Sequence, residues 1–277
     1  MMTQTPASAL NGVAQPPVCR PEAPLRVRPP IAADLADARR RLKAWLGARP
    51  WQAVSLGQNC NVAWYLSQVG AKAFSGPFDW IFSAASIVAA CLEDDFTTFL
   101  DRSQMVPIRD GSAAGHLAYH ASMFNHRSPL STEADHAYYV RCVGRFRALL
   151  SPGIPVVFVC QLINEPGKRL GWANGFKHQH ALPLQQTAES YAAVRRLIQA
   201  KNQAARFVFI DHRTQGTQSL QVGPVDRDTF TLAFEAQGRN DGVKYVDQDD
   251  DAVMRELFGV FGPPPSWVAP NPAVQLG

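Results

Sequence analysis

The stretch AVSLGQNCNVAWYLSQVG, residues 53–70, runs from apolar residues through Gly57 to Cys60 and then into a helical pattern. A thiol placed where a strand hands over to a helix meets unpaired backbone N–H groups and the positive end of the helix dipole, which favour the thiolate. Such a sulfur is expected to be a nucleophile, alkylated well below about pH 8 and ahead of the chain's other cysteines. Gly57 lets the backbone turn sharply out of the strand. The Asn59 amide, or the N–H groups of residues 59–62, can serve an oxyanion. The competing reading of Cys60 is a small residue packed at a helix start.

A nucleophilic cysteine needs a base within hydrogen-bond reach, commonly a histidine. The segment HLAYHASMFNHRSPL supplies His116, His120 and His126. His126 follows the apolar entry Met123-Phe124-Asn125 and precedes a Ser-Pro turn, which would fix its ring; His120 is the supporting candidate. Asp211, ending the apolar run RFVFID beside His212, is placed to orient a base, and Asn164 after IPVVFVCQLI is a second candidate. Asp79 in GPFDW lies between two large aromatics and is expected to be a buried turn organiser, with support of catalysis as the alternative. No metal and no other cofactor is expected: the histidine spacing is not HExxH, and the His178-x-His180 pair has no adjacent third ligand.

Positioning these groups requires a sheet with one chemically active rim. The pattern predicts a helix near 33–47, a short strand at 52–56, a helix from Cys60, a helix over about 84–100, a loop-rich stretch at 101–133 and a helix near 134–150. It continues with a buried strand at 154–162, a polar loop at 164–185, a helix at 186–204, strands at 206–211 and 229–235, and a final helix begun by aspartates. Strands separated by helices imply an α/β fold with a mostly parallel central sheet flanked by helices, the site lying at the carboxyl ends of the strands. Residues 1–33 and 263–277 read as Pro-rich loose tails around one domain at 34–262.

Composition narrows the function classes. The chain has 277 residues, 46% of them hydrophobic and 18% charged, with a net charge of +4 and no cationic run. Nucleic-acid binding is disfavoured, since phosphate neutralisation needs clustered cations. No apolar stretch reaches membrane-span length. The five cysteines are dispersed, without a CxxC pair, so neither a zinc knuckle nor a disulfide framework is expected. Cys91, Cys142 and Cys160 sit in apolar patterns as core residues. With no secretory pattern at the start, a cytoplasmic location with reduced thiols is the expectation.

The motifs S-L-G-x-x-C-x-x-A at 55–63 and P-F-D-W-I-F-S at 77–83, followed by DDFTTFL, MFNH and YYVRCVGRFRALL, resemble a bacterial family of unknown function described as papain-like cysteine peptidases. The resemblance covers roughly residues 52–215. It implies a Cys/His site in which Cys60 and His126 match the family's cysteine and histidine. It also implies a papain-like α+β fold as the alternative to the open α/β sheet that the strand order favours.

Two functions follow. The first is thiol-based acyl chemistry, by a peptidase or a related hydrolase or acyltransferase, on a small-molecule, glycan or peptide substrate bearing an acyl group. Arg141, Arg145 and Arg147 would bind an anionic substrate or form a solvated helix face. The second is a non-enzymatic module for a sugar or nucleotide-like ligand, using Trp172, Asn174 and the loop at 164–185.

Overall fold

The computed structural model describes residues 29–165 and 171–267; most of both expected tails lies outside them. Its centre is a five-stranded sheet in the order β1 (Gln52–Ser55), β4 (Val156–Ile163), β5 (Arg206–Arg213), β7 (Thr229–Glu235) and β6 (Ser219–Val225). Neighbouring pairs β1–β4, β4–β5 and β5–β7 are parallel, and β6 closes the far edge antiparallel to β7. This is the α/β, mostly parallel architecture that the strand–helix alternation predicts.

Central strands buried on both faces read as continuous apolar runs, and β4 is buried at every position. Alternation then divides its side chains between two cores. Phe158, Cys160 and Leu162 join Phe207 and Phe209 under the helices α3 (Ala85–Glu93), α5 (Glu133–Leu149) and α6 (Ala192–Lys201). Val157 and Val159 join Val208 and Ile210 under α1 (Pro29–Leu46), α2 (Asn61–Gln68) and α7 (Gln248–Phe258). Helices cover both faces, so the exposed chemistry falls to the ends of the strands.

Four local departures from the sequence pattern stand out. The helix expected over 84–100 breaks after Glu93, and α4 (Thr97–Leu100) follows as a separate turn. Asp95 and Phe96 take positive φ of 50° and 60° there, which swings Phe96 into an aromatic cluster with Phe78, Phe99 and Phe146. The loop-rich stretch holds a small antiparallel pair, β2 (Met105–Ile108) and β3 (Ala113–His116). Gly223 and Pro224 hide β6 from a period-two reading; its register shifts between Val222 and Val225, and an edge strand tolerates both residues. The first helix begins at Pro29, four residues ahead of its expected start.

Candidate active site

The turn between β1 and α2 is built by Gly57. Its φ is +95°, and a Cβ there would fall 1.9 Å from Ser83 Oγ. Ser83, from the end of the P-F-D-W-I-F-S motif, donates from Oγ to Leu56 O at 3.0 Å and from its N–H to Gln58 O at 3.0 Å. The turn is therefore clamped to the end of the second motif. Cys60 is the N-cap of α2 and only 8% exposed.

His126 reaches this sulfur from the other side of the sequence gap. Met123 and Phe124 are fully buried, and Phe124 exchanges backbone hydrogen bonds with Ala114 on β3 at 2.8 and 3.1 Å. With its entry fixed, the exposed His126 places Nε2 3.4 Å from Cys60 Sγ. Trp80 of the P-F-D-W motif packs edge-on against the imidazole, with ring centroids 6.1 Å apart. Lys72 Nζ lies 4.9 Å from the Trp80 ring centre and 2.9 Å from Asp79.

The electrostatics differ from those of an isolated helix start. Burial pushes the Cys60 thiol up to about 12, the Asp79 carboxylate adds to this, its own backbone N–H opposes it, and Asp241 raises it further. The expectation of a depressed thiol is thus corrected: desolvation and nearby carboxylates outweigh the helix start. Burial, followed by the Arg109 charge, lowers the His126 imidazole below its ordinary value. Both partners rest uncharged near neutrality. The tautomer with its proton on Nδ1 leaves Nε2 free to accept from the neutral thiol, and this is the form that general-base chemistry needs.

Asp79 accepts the Gly76 N–H at 2.9 Å and the Lys72 ammonium, with both charged side chains nearly buried. The two atoms of the Asn59 amide divide: Oδ1 accepts the Asn61 N–H at 3.1 Å, and Nδ2 has no acceptor among the described residues. His120 is spent on structure, with Nε2 at 2.7 Å from Trp172 O and Nδ1 accepting from Ser122 N–H at 2.9 Å. His116 is held likewise by Thr98 O and the Ala118 N–H. Of the three clustered histidines, His126 is the one aimed at the sulfur.

Asn164 and Asp211 bond each other, Asn164 Nδ2 donating to Asp211 Oδ1 at 2.8 Å, and neither bonds the His126 ring. They connect to the nucleophile turn by a route the sequence did not disclose. Asn164 Oδ1 accepts the Gln186 N–H at 2.7 Å and Asn164 Nδ2 also donates to Gln186 O at 2.9 Å. The Gln186 side-chain amide in turn pairs reciprocally with that of the fully buried Gln58. Gln58 Oε1 also accepts the Ile163 N–H at 3.0 Å. A continuous chain Asp211–Asn164–Gln186–Gln58 thus ends two residues before Cys60.

A second missed element is the loop at 240–245. Asn61 Nδ2 donates to Val243 O at 3.0 Å, and Asp241 lies near enough to act on the thiol. Its only sequence signal is an Asn-Asp-Gly turn, which marks geometry without chemistry. Trp172, the proposed ligand platform, has its face stacked on Phe82 at 4.7 Å and 11°. Arg147 pairs with Asp95 and Arg145 lies 6.0 Å over Phe74, while Arg141 is exposed. Among the described residues no three His, Cys, Asp or Glu side chains gather as a metal set, and no helix is long and apolar enough to cross a membrane.

Comparison with known families finds one match. Residues 51–171 fit the model of a family of unknown function described as "Putative papain-like cysteine peptidase". The matched region holds the nucleophile turn, the P-F-D-W segment, His126 and β4, and it ends before β5, β6, β7 and the 240–245 loop. No curated protein and no solved structure matches the chain.

Proposed function

We propose that the protein is a cysteine-dependent acyl hydrolase or acyltransferase, with a peptide or related amide or ester as acyl donor. The observation that carries the reading is the 3.4 Å contact between Cys60 Sγ and His126 Nε2. The family match over residues 51–171 supports it independently.

In this mechanism Cys60 and His126 start neutral, and His126 acts as a general base during attack. The sulfur forms a bond to the acyl carbon as its proton passes to Nε2, and the carbonyl π pair moves onto oxygen. Asn59 Nδ2 donates to that oxyanion. Collapse of the adduct expels the amine or alcohol, which takes the proton from Nε2. Water, or an acceptor nucleophile, then attacks the thioester with His126 again as base. Asp211, Asn164, Gln186 and Gln58 act by holding the turn, not by touching the reacting atoms.

The test uses p-nitrophenyl acetate and mass spectrometry of the acylated protein. Cys60 is expected to carry the acetyl group, and His126→Ala is expected to slow its formation by about 10²–10⁴-fold. His120→Ala leaves the rate within a few-fold of the parent. In the His126→Ala variant, alkylation of Cys60 by iodoacetamide should climb about tenfold per pH unit with no plateau below about pH 10, because the folded-state thiol stays protonated until its raised pKa is approached. Acetylation scattered over several residues, or indifferent to His126, would sink the reading.

A further inference from the structure

We propose that the amino-terminal edge of the sheet, opposite the rim that carries Cys60, holds a second site: a cavity for a small polyanion with adjacent phosphoryl groups. The cavity has a volume of about 1100 Å³ and lies between the end of α1, the turn before β4, the end of α6 and the β6–β7 turn. Four cations line it, Arg49, Lys201, Arg206 and Arg227, against one lining carboxylate, Asp228. That carboxylate is already engaged by Gln199 Nε2 and by Thr229 Oγ1 at 3.3 Å.

Part of this cationic set has a structural use. Arg49 donates to Gly153 O at 2.6 Å, and Arg206 donates to Trp45 O in the last turn of α1. Arg206 is also held between the rings of Trp45 and Trp51, 4.9 and 4.7 Å from their centres. Each guanidinium has five N–H donors, so one carbonyl does not exhaust it. Lys201 and Arg227 have no acceptor among the described residues. The helix ends here contribute only about half an elementary negative charge each, against four full positive charges. Burial, then the Arg49 and Arg227 charges, lower the Arg206 pKa and Asp228 opposes them, so three guanidinium groups converge with one nearby carboxylate to offset them.

The geometry favours a compact ligand over a nucleic-acid strand. The cations converge on one concavity instead of forming a stripe that would track a backbone. Guanidinium groups recognise phosphoryl oxygens bidentately, and a ligand with two neighbouring phosphoryl groups can engage several of them together. Gln199 and Trp51 supply neutral walls. This site is independent of the acyl-transfer reading, because its residues lie outside the Cys60–His126 pair and mostly outside the matched family region.

Inorganic pyrophosphate is the probe, titrated into the whole protein at fixed ionic strength while tryptophan fluorescence and heat are recorded. One saturable site is expected, with affinity at least about tenfold above that for sulfate. Arg227→Gln with Lys201→Gln is expected to weaken binding by about tenfold or more while leaving the melting temperature and Cys60 acetylation unchanged, since neither side chain has a hydrogen bond or ion pair to lose among the described residues. Equal affinity for pyrophosphate and sulfate would overturn the proposal, as would an unaltered affinity in the double variant. So would a single-stranded oligonucleotide that displaces pyrophosphate and binds more tightly through the same two residues.

Discussion

Replacing Gly57 with alanine is expected to remove about 2–5 kcal/mol of stability, combining about 1–2 for a positive φ with about 1–3 for forced overpacking. The added methyl would sit 1.9 Å from Ser83 Oγ, and that hydroxyl cannot retreat cheaply, because it is fully buried and bonded to Leu56 O. Any movement that relieved the clash would pull the turn away from its Ser83 bond and displace Cys60 from His126. Loss of stability and loss of Cys60 acetylation should therefore appear together. Gly144 in α5 is the control: it has open space around its Cβ position and an ordinary φ, so Gly144→Ala should stabilise by about 0.5–1 kcal/mol. Urea unfolding of the two variants decides the matter. A Gly57→Ala protein within about 1 kcal/mol of the parent would mean that the turn is not clamped as described.

The second large effect belongs to Lys72. Its ammonium and the Asp79 carboxylate are 9% and 3% exposed and 2.9 Å apart. Lys72→Met leaves Asp79 charged, desolvated and short of its partner, which typically costs about 3–5 kcal/mol. Adding Asp79→Asn removes the stranded charge while keeping an oxygen for the Gly76 N–H, so the double variant should recover much of the loss. Lys72 also sits over Trp80, the ring that packs against His126, so the single variant should slow acetylation as well. If Lys72→Met and the double variant prove equally unstable, the cost lies in lost packing of the lysine stem and not in an unpaired charge.

The legibility of this protein in its sequence follows the range of the forces involved. Local periodicity disclosed β4 and the middle of β5, because a strand buried on both faces must be apolar there, and β7 as a more exposed run with polar residues interspersed. The Gly57–Cys60 junction was legible because a positive-φ residue before a helix is a local demand. The break at Asp95–Phe96 was not, since Phe96 leaves the helix only for a cluster built by Phe78 and Phe146, distant in the chain. At the site, residue types placed Cys60 and His126 on one list. They gave no sign that Asp211 and Asn164 would bond each other and reach the turn through two glutamines. Gln58 and Gln186 are invisible to a search for chemistry because an amide pair neither titrates nor attacks. The sign of the Cys60 shift was also missed, because a helix start is local while desolvation is a property of the finished fold.

The position of β1 sets the order in which the molecule is assembled. This strand has four residues, occupies one edge of the sheet and, among the described residues, pairs with β4 alone, Gln52 opposite Val156, across more than a third of the chain. Closing so long a loop for so few hydrogen bonds is unfavourable until the remaining sheet exists as a template. Strands β4 to β7 are joined by nearer contacts and can form that template first. The segment that delivers the thiol therefore docks late, and a half-made chain is chemically silent. In refolding from urea, tertiary fluorescence should return before selective acetylation of Cys60 does, so that reactivity reports completion of the whole fold and not of its centre.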